Sequence, residues 1–143
     1  MNLTSDSTYH ASMCYSGIPP RVASWTVSAA GRWIGNSYGS IEIVVTAASH
    51  VYRWDADGYY NQFILLRDDV IVFRVDGYTP QLNVWHTLRL DAGRTSGLSM
   101  YFDGLQIGSF VDVPKTDYGM RDVELIAGYL SNESWDWITA DSA

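Results

Sequence analysis

The sequence predicts an all-β chain, a two-sheet antiparallel jelly-roll sandwich. Three observations predict it. No stretch of useful length repeats its apolar residues with the period of a helix. Short runs rich in β-branched and aromatic residues recur instead, several with strict alternation. Turn residues break these runs roughly every eight to twelve residues, the spacing of a sandwich or jelly roll.

Taken in order, residues 40–46 (SIEIVVT) place Ile41, Ile43 and Val45 on one face and Glu42, Val44 and Thr46 on the other. Residues 62–66 (QFILL) and 70–75 (VIVFRV) are short strands separated by Arg67-Asp68-Asp69, tight enough for a hairpin. Leu88 and Leu90 alternate with Thr87 and Arg89, and Leu98, Met100 and Phe102 alternate with Ser99 and Tyr101. Before residue 35 the strands expected are around 23–27 and 32–34, and the rest is an arm. Residues 1–143 therefore read as one jelly-roll domain, with residues 1–35 an N-terminal arm or edge strand and 36–143 the sandwich.

The turns are legible too. Asp57-Gly58, Asp76-Gly77 and Asp103-Gly104 are Asp-Gly pairs, which tolerate the positive φ angles of primed hairpin turns. They share no longer repeat. Pro19, Pro20, Pro80 and Pro114 fall between runs, as residues without an N–H should. A two-residue loop at Asp103-Gly104 pairs Phe102 with Leu105, Tyr101 with Gln106 and Met100 with Ile107. That register gathers Leu98, Met100, Phe102, Leu105 and Ile107 on one apolar face, and a slip by one residue would scatter them. Asp103 is thus read as a turn residue rather than a chemical group.

Composition narrows the function. At 143 residues the chain can bury a sizeable core, and 47% hydrophobic against 17% charged residues marks it as globular. Six Trp and ten Tyr exceed what core packing commonly uses, so some rings are expected on the surface as contact groups. A formal net charge of -7 argues against a sequence-independent nucleic-acid binder and against docking to an anionic membrane. No apolar run approaches the about 18 residues of a membrane span. The start, MNLTSDSTYH, lacks the basic and apolar regions of a signal peptide, so export by a signal of its own is not expected. The location stays open, with an extracellular or virion-surface setting favoured, as part of a larger exported chain or as a component assembled inside a cell. The single cysteine, Cys14, reads as an inert thiol.

At residues 85–90 (WHTLRL) and 98–104 (LSMYFDG) the sequence resembles the W-H-x-hydrophobic and Y-x-D-G stretch of concanavalin A-like lectin/glucanase domains, laminin-G-like modules among them. Residues 125–128 (LIAG) and 135–138 (WDWI) resemble that family's closing strand. The resemblance covers about residues 40–138. It implies two packed antiparallel sheets, with ligands in a concave groove or at the loop rim. The family includes lectins, hydrolases, lyases and structural domains.

The search for chemistry begins with carboxylates. A glycosidase needs two of them, roughly 5 to 9.5 Å apart. The chain has three glutamates, Glu42, Glu124 and Glu133, and no E-x-D-x-E run. Glu42 retains the option of pairing with an aspartate from another strand. Tyr59-Tyr60-Asn61-Gln62 resembles the Y-N-Q element of alginate lyases, whose arginine-rich strand motif is absent. His10, His50 and His86 are scattered, and His86 shares parity with Leu88 and Leu90, so it points inward.

The richest segment is residues 54–61, where Trp54, Asp55, Tyr59, Tyr60 and Asn61 mix large rings with hydrogen-bonding groups in an expected loop. Rings that stack on a sugar face and polar groups that bind hydroxyls make such a mixture a glycan-contact pattern. A second cluster holds Tyr129, Asn132 and Trp135, and a third Trp33, Asn36 and Tyr38. No cofactor is expected. Asp55 and Asp57, alternating before Gly58, offer hard oxygen ligands for calcium, but the third ligand position and distal glutamate of a calcium loop are missing, and a plain solvated turn is the leading reading. The expectation is a non-catalytic binding module for a glycan or surface polysaccharide. The runner-up is a structural or decoration protein of a virion or other assembly, acting through protein contacts. A polysaccharide lyase or glycoside hydrolase comes third.

Overall fold

A computed structural model describes the backbone of residues 11–16, 24–33, 39–47, 50–79, 81–93, 97–112, 120–127 and 133–142, with side chains for those between 24 and 112. Eleven strands occupy these residues: β1 (Ala11–Ser16), β2 (Ser24–Trp33), β3 (Ser40–Ala47), β4 (His50–Asp57), β5 (Gln62–Arg67), β6 (Val70–Asp76), β7 (His86–Gly93), β8 (Gly97–Phe102), β9 (Leu105–Phe110), β10 (Met120–Ala127) and β11 (Glu133–Ser142). They form a six-stranded sheet, β1-β10-β3-β4-β5-β6, and a five-stranded sheet, β11-β2-β7-β8-β9, all pairs antiparallel. The chain is the all-β jelly-roll sandwich expected from its alternation.

Alternation also places the core. Ile41, Ile43 and Val45 of β3, Tyr52 and Trp54 of β4, and Leu65 of β5 meet Trp25 and Val27 of β2, Leu88 and Leu90 of β7, and Leu98 and Met100 of β8 between the sheets. Each strand contributes every second residue, so the intervening residues form the two outer faces.

Three expectations need correction. Residues 54–57 belong to strand β4, not to a loop. Its apolar residues Tyr52, Trp54 and Ala56 alternate with Arg53, Asp55 and Asp57, the signature of a strand buried on one side. The stretches expected at 23–27 and 32–34 meet, over residues 24–27 and 32–33, in one ten-residue strand, β2, which lies inside its sheet between β11 and β7; residues 23 and 34 lie outside the described residues. The edge strands of that sheet are β11 and β9, while β1 and β6 bound the other. Finally, residues 125–127 and 135–138 fall on β10 and β11, strands of different sheets, and Gly128 lies outside the described residues.

The Asp103-Gly104 turn has the positive φ angles expected, 49° and 79°. Phe102 pairs with Leu105 and Tyr101 with Gln106, but a bulge then sets Met100 opposite Gly108 in place of Ile107. The cause lies in the other sheet. The ring of Phe73 from β6 crosses to β9 and fills the space a Cβ on Gly108 would occupy. The bulge brings the one residue without a side chain to that position. Leu105, expected on the apolar face, is 69% exposed at the turn.

Asp57-Gly58 opens a longer connection, residues 58–61, in which Asn61 carries the positive φ of 54°. The tight hairpin expected at Arg67-Asp68-Asp69 forms on Asp68-Asp69, with φ 50° and 64° and no glycine. Aspartate tolerates this region better than most residues because its short side chain can hydrogen-bond locally.

An internal repeat underlies these two hairpins. Residues 50–57 (HVYRWDAD) and 86–93 (HTLRLDAG) share His, Arg, Asp and Ala at the same spacing, and each opens a three-strand meander, β4-β5-β6 and β7-β8-β9. In each, the first turn aspartate reaches back to the first strand. Asp68 donates its amide to Val51 O at 2.9 Å, and its Oδ1 accepts the Val51 amide at 2.9 Å. Its Oδ2 meets His50 Nδ1 at 2.5 Å. Asp103 does the same with Thr87, at 2.9 and 2.8 Å, and with His86, at 2.8 Å.

Candidate functional site

The strands β3, β4 and β5 bring a polar row to the outer face of the six-stranded sheet. Their register sets Glu42 opposite Asp55, Ser40 opposite Asp57, and Asp57 opposite Gln62. All five share one side because directly opposed residues in an antiparallel pair point the same way. Glu42 is 4% exposed, Asp55 6% and Gln62 6%.

Glu42 accepts a hydrogen bond from the Ser40 hydroxyl at 2.5 Å and pairs with Arg53 at 3.3 Å. Arg53 has a second carboxylate, the exposed Asp69, at 3.6 Å. Asp55 is less well served, since its Oδ1 has no hydrogen-bond partner. Burial, then the negative charges of Glu42 and Asp57, hold its carboxyl well above the usual carboxylate range, and Arg53 and Ser40 offset this only in part. Gln62 Oε1 likewise lacks a partner.

Asp57 organises the adjoining rim. Its Oδ1 accepts the amides of Tyr59 at 2.8 Å and Tyr60 at 3.1 Å, and its Oδ2 accepts from Gln62 Nε2 at 3.2 Å. This is an aspartate turn that fixes residues 58–61. Tyr59 and Tyr60 project from it, 57% and 67% exposed, with ring centroids 4.7 Å apart and planes near perpendicular. Asn61 anchors the turn through its carbonyl, which accepts from Gly77 and Tyr78 amides at 3.0 Å each.

The first cluster expected from the sequence therefore divides. Trp54 is fully buried, stacks on Phe63 at 5.6 Å and donates its indole N–H to Tyr101 O at 3.3 Å. It is a core ring, not a contact ring, because its parity on β4 turns it inward. Asp55 lies on the outer sheet face, and Tyr59 and Tyr60 lie on the rim beside it. Trp33 of the third cluster is also buried, its indole N–H donating to Gly39 O at 3.1 Å. Tyr129, Asn132, Asn36 and Tyr38 lie outside the described residues. Trp135 is on β11 opposite Gly31, and its side chain is likewise outside them.

As for calcium, Asp55 and Asp57 stand on one side of β4, but both oxygens of Asp57 already accept protein hydrogen bonds. Among the described residues no group of three or more His, Cys, Asp or Glu side chains is placed to hold a metal ion.

Sequence reasoning did not single out Arg53, and took Gln62 only as the last residue of the Y-N-Q element; the signal that joins them was their place on the outward phase of β4 and β5. The Glu42–Asp55 juxtaposition is the through-space pairing the sequence left open. Asp122 and Glu124 also stand two residues apart on β10, opposite Thr46 and Val44. Trp85 was not selected as a ring either. It is partly exposed, with the Arg32 guanidinium 4.7 Å above it on the outer face of the other sheet. His86 is buried and bonded to Asp103 as its parity required.

No protein-family model matches this chain, and no curated protein sequence does. Solved structures do. The carbohydrate-binding module CBM66 from Bacillus subtilis superposes with a TM-score of 0.67 at 11% identity, covering 97% of this chain and 84% of that one. A tetrameric galectin from the ball sponge Cinachyrella gives 0.67 at 13% identity, covering 90% and 98%. Lactose- and MES-liganded congerin II gives 0.67 at 13%, covering 91% and 99%. These likenesses establish the fold, an antiparallel jelly-roll sandwich. Identities this low carry nothing finer, so the concanavalin A-like, laminin-G-like membership expected from the sequence is not established by them.

Proposed function

We propose that this chain is a non-catalytic glycan-binding module, with its site on the outer face of the six-stranded sheet beside the Tyr59–Tyr60 rim. One observation carries the reading. Buried, unpartnered acceptors on Asp55 and Gln62 adjoin two exposed aromatic rings. A saccharide supplies both complements, hydroxyl donors for the acceptors and an apolar ring face for a tyrosine. The structural neighbours named as a carbohydrate-binding module and as galectins, one of them lactose-liganded, support the same reading.

A glycan array with and without calcium tests it. Binding is expected to one or more glycan classes and to weaken in Tyr59→Ala and Tyr60→Ala. Dependence on calcium that is lost in both Asp55→Asn and Asp57→Asn would assign the ion to those two residues. Silence across broad glycan classes would overturn the reading.

A second reading, an assembly module working through protein contacts, draws on edge strand β6. There Val70, Ile71 and Val75 are exposed beside a strand edge that no other described strand pairs with. Sedimentation distinguishes it, since self-association that Ile71→Lys abolishes is its signature.

A further inference from the structure

We propose that Asp55, with Gln62, forms a subsite for a primary ammonium group, so that the saccharide this face takes is an amino sugar with a free amine. The inference rests on the glycan-binding reading above and names the ligand class.

Asp55 Oδ1 and Gln62 Oε1 are acceptors without a hydrogen-bond partner, while the donor Arg53 Nε on the same face, itself without a well-aligned hydrogen bond, has the Glu42 carboxylate 3.3 Å away. Asp55 and Gln62 are each more than nine-tenths buried. The Gln62 amide cannot turn to supply a donor without breaking the bond from its Nε2 to Asp57 Oδ2, at 3.2 Å. The ligand must therefore bring donors. A hydroxyl brings one donor and two lone pairs, whereas an ammonium brings three donors and no acceptor.

Charge points the same way. Asp55 faces Glu42 directly across the β3–β4 pair and shares a side of β4 with Asp57. The cation acting on Asp55 is Arg53, which is shared with Glu42 and Asp69. A buried carboxylate surrounded in this way gains most from a charged donor, because charge-assisted bonds are about twice as strong as neutral ones. Arg53 also provides a route for exchange. Its bond to the exposed Asp69 gives the guanidinium a partner to keep while an incoming ammonium takes its place beside the buried pair.

The test is titration calorimetry of the whole chain with β-1,4 oligomers of glucosamine, N-acetylglucosamine and glucose of equal length. The glucosamine oligomer should bind roughly tenfold or more tightly than the other two, the worth of one charge-assisted hydrogen bond. Asp55→Asn should abolish that preference. Gln62→Met, which changes no charge, should reduce it and covers the case in which Asp55→Asn fails to fold. Equal or tighter binding of the N-acetylated or neutral oligomer overturns the ammonium subsite and leaves the glycan reading standing. So does a preference that survives both substitutions. Binding of oligolysine without any of glucosamine overturns the amino-sugar assignment in favour of a protein amine. A chain that binds no saccharide here or on the array loses the glycan reading itself.

Discussion

The His86 ring and the Asp103 carboxylate meet 2.8 Å apart, joining the start of β7 to the β8–β9 turn. The other oxygen of the same carboxylate accepts the Thr87 amide at 2.8 Å. Asp103 thus combines a left-handed backbone, φ 49°, with two bonds to its neighbouring strand. Asp103→Gly keeps the backbone freedom and removes both bonds. It should cost about 1–3 kcal/mol in urea unfolding, and Asp103→Asn, which retains an acceptor, should cost less. Equal stability of all three forms would reduce the aspartate to a turn residue.

Asp68 repeats the arrangement and adds a pH signature. The Val51 amide and then the His50 ring hold its carboxyl below the usual range. A carboxylate with a folded pKa below its unfolded value near 3.9 contributes stability above that value. The contribution is lost as pH falls through the folded pKa. Asp68→Asn should therefore lower the melting temperature at neutral pH and approach the parent at acid pH. A constant gap across the range would contradict this.

Asp55 shifts the opposite way. Its folded pKa is raised, so its contribution is intact below the unfolded value and is lost as pH rises through the folded one. Asp55→Asn should melt above the parent at pH 8, by on the order of 1–3 kcal/mol for relief of an ill-partnered buried carboxyl. The two should converge near pH 3. A variant that melts higher while losing ligand would mark Asp55 as a site of function held at the expense of stability.

The Phe73–Gly108 contact closes the β6–β9 side of the sandwich. Gly108→Ala forces its methyl into the Phe73 ring and should destabilise by about 1–3 kcal/mol. Adding Phe73→Leu should recover part of that loss, a coupling a double-mutant cycle reads directly. Additive losses would mean that ring and glycine are independent.

What was legible followed from local pattern. The strands β3, β5, β6, β7 and β8 carry clear alternation or β-rich runs, and the first two pairs of the Asp103-Gly104 hairpin follow from its turn. The bulge was not legible, because its cause, Phe73, lies on the other sheet. Strand β4 carried the required alternation, but its mixture of rings and acids ahead of an Asp-Gly pair read as a loop, which put Trp54 on the wrong side. Strand β2 read as two pieces because Ser28, Ala29, Ala30 and Gly31 are small and weakly β-forming. The Glu42–Asp55 pair needed the β3–β4 register, which no local pattern supplies. The His-Arg-Asp-Ala repeat was present in the letters, but its two copies have unlike connections and run 18 and 17 residues from histidine to turn aspartate.

That repeat bears on the order in which the molecule assembles. Each meander closes on itself within a short span, with its own carboxylate fastening its first strand to its last turn. Contacts so near in sequence form early, because little chain entropy is lost in closing small loops. The pairing of β2 with β11 and of β1 with β10 joins residues 100 or more positions apart and comes late. The two fastened units are nascent halves of the sandwich, one per sheet, and the Phe73–Gly108 contact is the seam along which they meet.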